Sequence, residues 1–129
     1  MRSGRILRQI VRARIKEQVP ALTAVSDKAT EKSAFPYATM GPSYWVDDST
    51  DCTEGREITL QIDIWHSASN KGVCEDLTDD VATALKGYAD QVALTMHPIE
   101  IDTARVTDDP DGVSVHGIVV IRAMVESDG

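Results

Sequence analysis

The stretch Glu57-Ile58-Thr59-Leu60-Gln61-Ile62-Asp63-Ile64-Trp65-His66 decides the fold. Every even position from Ile58 to Ile64 is aliphatic, and every odd position from Glu57 to Asp63 is polar. Successive side chains of a strand point to opposite faces, so this segment predicts a strand with one face buried and one wet. A slip of one residue would turn its aliphatic side chains out to water, which sets the register firmly.

Downstream, residues 72–88 change to helical spacing. Val73, Leu77, Val81, Ala84, Leu85 and Tyr88 form an apolar stripe. Glu75, Asp76, Asp79 and Asp80 take the other side and the early turns, where negative charge suits the helix dipole. Gly87 is expected to weaken the last turn. Val92 and Leu94 then begin a return to sheet, and Ile99 to Val106 reads as a strand. Asp108-Asp109-Pro110-Asp111-Gly112 is a turn: Pro110 sets φ, the aspartates bond local backbone and Gly112 permits positive φ. Val113 to Glu126 reads as a long strand with Val113, Val115, Val119, Ile121, Ala123 and Val125 on one face. Its other face, with His116, Ile118, Val120, Arg122 and Met124, is also largely apolar. Such a strand is central, or is covered by something besides its own helix, such as another subunit.

Upstream, Asp47 to Gly55 is an acidic polar loop, expected to be mobile. Phe35-Pro36-Tyr37-Ala38-Thr39-Met40-Gly41-Pro42 is β-like with punctuation at both ends, and Ser43 to Val46 continues it after a bend. Proline cannot donate to a strand ladder, so Pro36 belongs at a sheet edge or a strand start. A short strand fits Ala21 to Val25. Residues 5–18 read as a helix, with Ile6, Leu7, Ile10, Val11 and Ile15 on one stripe and Arg5, Arg8, Arg12 and Lys16 on the remaining faces. Ser3 is a candidate cap and Pro20 marks the end. The order predicts an α+β fold: a mostly antiparallel sheet with two main helices packed on one face. At 129 residues it is expected to form a single domain spanning residues 1–129.

Aromatic residues make up 5% of the chain, so the core must be aliphatic. The formal net charge is −8 and unevenly spread. Residues 1–16 hold six basic residues (Arg2, Arg5, Arg8, Arg12, Arg14, Lys16) and no acid, whereas the remainder holds seven basic and 21 acidic residues. The acidic body disfavours DNA. The basic helix suits an acidic partner, another subunit or a phosphate backbone. Arg12, Arg14 and Lys16 interrupt any signal-peptide-like apolar run, and no stretch is apolar enough to span a bilayer. The protein is thus expected to be made and kept in the cytoplasm unless a particle carries it out, with no membrane partner.

Signals for chemistry are weak. His66, His97 and His116 have no metal-ligand spacing, and Cys52 and Cys74 form no C-x-x-C pair and read as free thiols. Cys74 at a helix start is a candidate for a lowered pKa, on weak grounds. Asp108, Asp109 and Asp111 lack the glutamate and alternating ligands of a calcium loop. There is no nucleophile elbow and no glycine-rich phosphate loop. The chain therefore reads as a structural protein that assembles with its own copies and uses no cofactor.

Two segments, Phe35-Pro36-Tyr37-Ala38-Thr39-Met40-Gly41 and the strand ending Ile62-Asp63-Ile64-Trp65-His66, resemble the paired signatures of the tail completion family of tailed bacteriophages and gene transfer agents. Asp109-Pro110-Asp111-Gly112, Val115-His116-Gly117 and the strand through Arg122 to Val125 resemble its C-terminal part. The basic first helix and the acidic second helix fall in the family's order. The resemblance implies a tail terminator: a hexameric ring that caps the tail tube, ends its polymerisation and presents a surface to the head-side connector or stopper. It places the protein at the head–tail neck of a particle assembled in the host cytoplasm. Candidate subunit or partner contacts are Arg5, Arg8, Arg12, Phe35, Pro36, Tyr37, Trp65, Asp109, Asp111 and Arg122. Glu57 and Asp63 are lumen candidates, on a wet acidic face past which DNA would slide without specific binding. The alternatives are another neck ring of the same particle, a nucleic-acid-binding module built on the basic helix, and a small-molecule-binding homodimer.

Overall fold

The computed structural model describes residues 2–29 and 34–127. Residues 30–33 lie outside the described residues. Along the chain come helix α1 (Ser3–Gln18), strands β1 (Val25–Ser26), β2 (Tyr37–Asp47) and β3 (Glu54–Ser67), helix α2 (Lys71–Leu85), and strands β4 (Thr95–Met96), β5 (Glu100–Asp108) and β6 (Ser114–Ser127). A short 3₁₀ turn, Ala68–Asn70, feeds α2. The sheet runs β1-β2-β3-β6-β4, with β5 also paired to β6. Among the described residues only the β1–β2 pair is parallel.

The alternating segment lies at the centre, as strand β3. It pairs with β6 over its whole length, from Glu54↔Ser127 to Ser67↔Ser114. Ile58, Leu60, Ile62 and Ile64 are each no more than 2% exposed. Their direct partners Ala123, Ile121, Val119 and Gly117 share that face. Leu7, Val11 and Ile15 of α1 and Cys74, Leu77, Val81 and Leu85 of α2 close over it, so both helices pack on one side. Among the described residues no helix lies on the opposite face. Gly117 lets α2 approach the sheet: a Cβ there would lie 2.1 Å from the Thr78 hydroxyl oxygen and 3.3 Å from Ile64 Cβ.

Several local expectations are corrected. Ser3 does not cap α1; it is buried inside the first turn, where its hydroxyl accepts a bond from Arg56 Nη1 at 3.5 Å. In helix α2 the stripe residues Leu77, Val81, Ala84 and Leu85 are buried as read, but Val73 is 46% exposed and Cys74 is buried in its place. Burial pushes the Cys74 thiol up, opposite to the shift a helix start would give. Gly87, at φ 78°, stands in the left-handed region just past the end of α2, so it ends the helix, and Tyr88 lies beyond it. Val92 is 98% exposed and belongs to a turn in which Asp90 Oδ1 accepts the backbone N–H groups of Val92 and Ala93. The short strand follows at Thr95. The early strand is displaced from 21–25 to Val25–Ser26.

Gly41 and Pro42 do not end the second strand. It passes through them with a register shift between Met40 and Ser43, a bulge that frees proline from donating to the ladder. The acidic loop shrinks to a tight connection, closed by Asp48 N–H to Gly55 O at 2.9 Å and Thr50 N–H to Thr53 O at 2.8 Å. Val113 is in the last turn, 68% exposed, and not on the core face of β6.

Candidate assembly interface

The open face of the sheet is defined by register. Tyr37, Trp65, His116 and Thr107 form one row across β2, β3, β6 and β5, and the next row includes Thr39, Asp63, Ile118 and Arg105. At this end the motif residues converge. The Phe35 and Tyr37 rings stack at 5.7 Å, and Phe35 meets His66 at 6.1 Å. Trp65 stacks on His116 at 3.9 Å and donates its indole N–H to Thr39 Oγ1 at 3.3 Å. Pro36 precedes the first residue of β2, and its carbonyl accepts both the N–H and the hydroxyl of Thr23. The proline therefore sits at a strand start, and its carbonyl ties the segment to the connection after α1.

Asp63 is the main correction to the predicted site. It lies on the polar side of β3, yet it is only 8% exposed. Its Oδ1 meets His116 Nε2 at 2.6 Å and accepts Gln61 Nε2 at 2.8 Å. A Cβ at Gly41 would come within 2.6 Å of Asp63 Oδ2. The last residue of the Phe35–Gly41 motif is thus small because a carboxylate from the neighbouring strand occupies its side-chain space. The wet face of β3 ends before Asp63, because His116 and the β2 backbone at Gly41 close over it.

Toward the other end of this face, Arg122 is the cation among three carboxylates. Its nitrogens lie 3.8 Å from Glu57, 3.5 Å from Glu100 and 3.6 Å from Asp102. These are half-exposed pairs, each worth about 0–1 kcal/mol, and they leave the cluster acidic.

Asp109 and Asp111 lie in the β5–β6 turn, at the same end as the aromatic group, since Asp108 pairs with Val115 and Val115 with His66. Asp111 accepts the N–H groups of Val113 and Ser114 at 2.9 Å each and the Ser114 hydroxyl at 2.5 Å. The Ser114 hydroxyl, followed by those N–H groups, holds the Asp111 carboxyl below the ordinary carboxylate range. Asp109 Oδ2 accepts the N–H of Asp111, and Gly112 takes φ 74°.

Arg5, Arg8 and Arg12 stand apart from all of these, on the helical layer. Arg8 pairs with Asp27 at 3.3 Å, whereas Arg5 and Arg12 are exposed. Arg14 turns inward: its Nε donates to Ala84 O at 3.0 Å, and its guanidinium lies 4.4 Å from the centre of the Tyr88 ring. The structure therefore groups Phe35, Pro36, Tyr37 and Trp65 at one end of the sheet, where the Asp109–Asp111 turn also lies, pairs Arg122 with Glu57, and separates both groups from the basic helix.

Sequence reasoning missed His116, Gly41 as the partner of Asp63, and the exposed run Tyr44-Trp45-Val46. Alternation placed His116 on the second face of its strand, but pairing it with Asp63 required the inter-strand register.

The family described as Tail completion protein gp17 matches residues 8–126. Among curated proteins no sequence matches. A chain in the virion of a native gene transfer agent particle shares the fold with TM-score 0.73 and 20% identity, over 90% of this chain and 94% of that one. The gp17 protein of bacteriophage SPP1 does so with TM-score 0.58 and 18% identity, over 98% of this chain and 94% of that one.

Proposed function

We propose a function from one premise: the chain belongs to the tail completion protein gp17 family, whose members are structural virion proteins and not enzymes. Within that family, this protein acts as a tail terminator. Six copies close a ring on the end of the tail tube, stop its polymerisation and offer the opposite surface to the head-side connector or stopper.

The observation that carries this proposal is the separation of charge across the layers. The exposed arginines of α1 lie on the helical side, and the exposed carboxylates Asp47, Asp48, Asp51 and Glu54 lie where β2 connects to β3 in the sheet. Two unlike surfaces on one chain favour a head-to-tail contact, which closes into a ring when the rotation permits. Opposite charges orient such an encounter. The aromatic end, with Phe35 42% exposed, offers a surface for a different protein, the tube or the connector. The bare acidic face faces the lumen, where it lets DNA pass without sticking.

The test is electron-microscopic classification of the full chain mixed with the tube subunit of its own particle. Six-fold rings at one end of tubes of limited length are expected. Tubes of unlimited length with no bound ring would reject the terminator role and favour another neck ring.

A further inference from the structure

Strand β2 forms an edge of the sheet. Strand β1 covers it only at Ala38 and Thr39, and from Ser43 to Asp47 no strand among the described residues pairs its outer side. On that stretch Tyr44, Trp45 and Val46 are 64%, 49% and 51% exposed. Tyr44 and Val46 lie opposite Thr59 and Glu57 on the bare face, whereas Trp45 lies opposite Ile58 on the helical face. Apolar surface is therefore exposed on both sides of an open edge, an arrangement that soluble proteins cover or use for association. Arg56 stacks 3.8 Å from the centre of the Trp45 ring, which holds the indole in place while leaving half of it in solvent. The connection that follows presents Asp47, Asp48, Asp51 and Glu54, all exposed.

The complementary surface is on α1. Arg2, Arg5, Arg12 and Lys16 are exposed and recur at spacings of three, seven and four, so they share one side of the helix. Among the described residues, no ion pair joins this side to the 47–54 connection of the same molecule. The only ion pair from α1 among them is that of Arg8 with Asp27.

We propose that the acidic, aromatic edge formed by Tyr44 to Glu54 docks on the basic side of α1 in a second copy of this chain. The inference rests on the ring proposed above and names the contact that closes it. A second copy is the fitting occupant because one chain carries both halves and, among the described residues, does not pair them with each other, so a single repeated operation satisfies every copy. Nucleic acid suits the basic half and is repelled by the acidic one. In this contact the exposed Tyr44 and Trp45 are the desolvated anchors, and the charges set orientation.

Cys52 provides the probe, since it is exposed at the tip of this edge while Cys74 is buried. The full chain carrying Arg12→Cys is assembled with the tube subunit and treated with a short bismaleimide. A ladder of covalent multimers is expected, and the same treatment of Thr103→Cys, exposed on β5, gives none. In a separate series without added cysteines, Asp48→Lys with Asp51→Lys removes rings from tube ends. Adding Arg5→Glu with Arg12→Glu to that chain restores them. Rings at tube ends without the Arg12→Cys ladder, or without rescue by the charge swap, overturn this contact and leave the terminator role standing. Absence of rings from the unmodified chain overturns both.

Discussion

Glycine 117 shows how one residue controls the approach of a helix to a sheet. It faces α2 from the central strand β6, and any side chain there meets the Thr78 hydroxyl oxygen at 2.1 Å. Thr78 is 2% exposed and donates to Cys74 O at 2.7 Å, so it has little room to move. Gly117→Ala is expected to lower stability by about 1–3 kcal/mol, as overpacked cores do. Thr78→Ala in the same chain removes the clashing oxygen and recovers most of the loss, read as the midpoint of urea unfolding. Asp111 makes a pH-dependent contribution of the opposite kind. Its carboxyl is held below its ordinary range by the Ser114 hydroxyl and the N–H groups of Val113 and Ser114. A depressed carboxylate stabilises the fold above its unfolded pKa, and that stabilisation is lost as pH falls through the folded value. The melting temperature should therefore fall more steeply with acidification below about pH 4 in the wild type than in Asp111→Ala. The two slopes would coincide if the turn bonds were unimportant.

At the level of elements, β3 was legible because its period of two is nearly uninterrupted, and each of its four aliphatics is buried where alternation put it. The acidic helix was legible in its stripe, since Leu77, Val81, Ala84 and Leu85 are buried, but not in its first turn or in its end, which falls at Leu85. A helix turns about 100° per residue, so Val73 and Cys74 point to different sides, and in the first turn it is Cys74 that faces the sheet. Leu77→Ala should cost about 2–5 kcal/mol, as deletions of buried leucines do. Val73→Ala, on the exposed side, should stay within about 0.5 kcal/mol. Comparable losses at the two positions would mean that Val73 packs into the core, as its place in the sequence stripe suggested. The punctuation at Gly41-Pro42 misled in a related way. Glycine and proline signal an ending in the sequence, but here proline sits in a bulge and glycine gives room to a carboxylate on the next strand.

At the scale of the whole molecule, the surfaces follow from which face the helices leave bare. On that face Glu57 is half-buried beside Arg122, whereas Asp63 is enclosed with His116. Glu57→Lys is thus the informative charge reversal: ring formation should be unchanged and DNA delivery by the particle slowed. Unchanged delivery would remove the lumen assignment. The same substitution at Asp63 would put a cation against His116 and unfold the corner instead of testing the channel. The sequence by itself determined the α+β class, the central strand, the β5–β6 turn and the asymmetry of charge, because each depends on local periodicity or on the intrinsic preferences of a few adjacent residues. Only the tertiary structure decided that Asp63 is buried, that His116 is its partner, that Arg122 gathers three carboxylates and that Tyr44, Trp45 and Val46 lie on an uncovered edge. Each of those depends on inter-strand register and on where the neighbouring strand stops, which link residues far apart in the chain and leave no periodic trace along it.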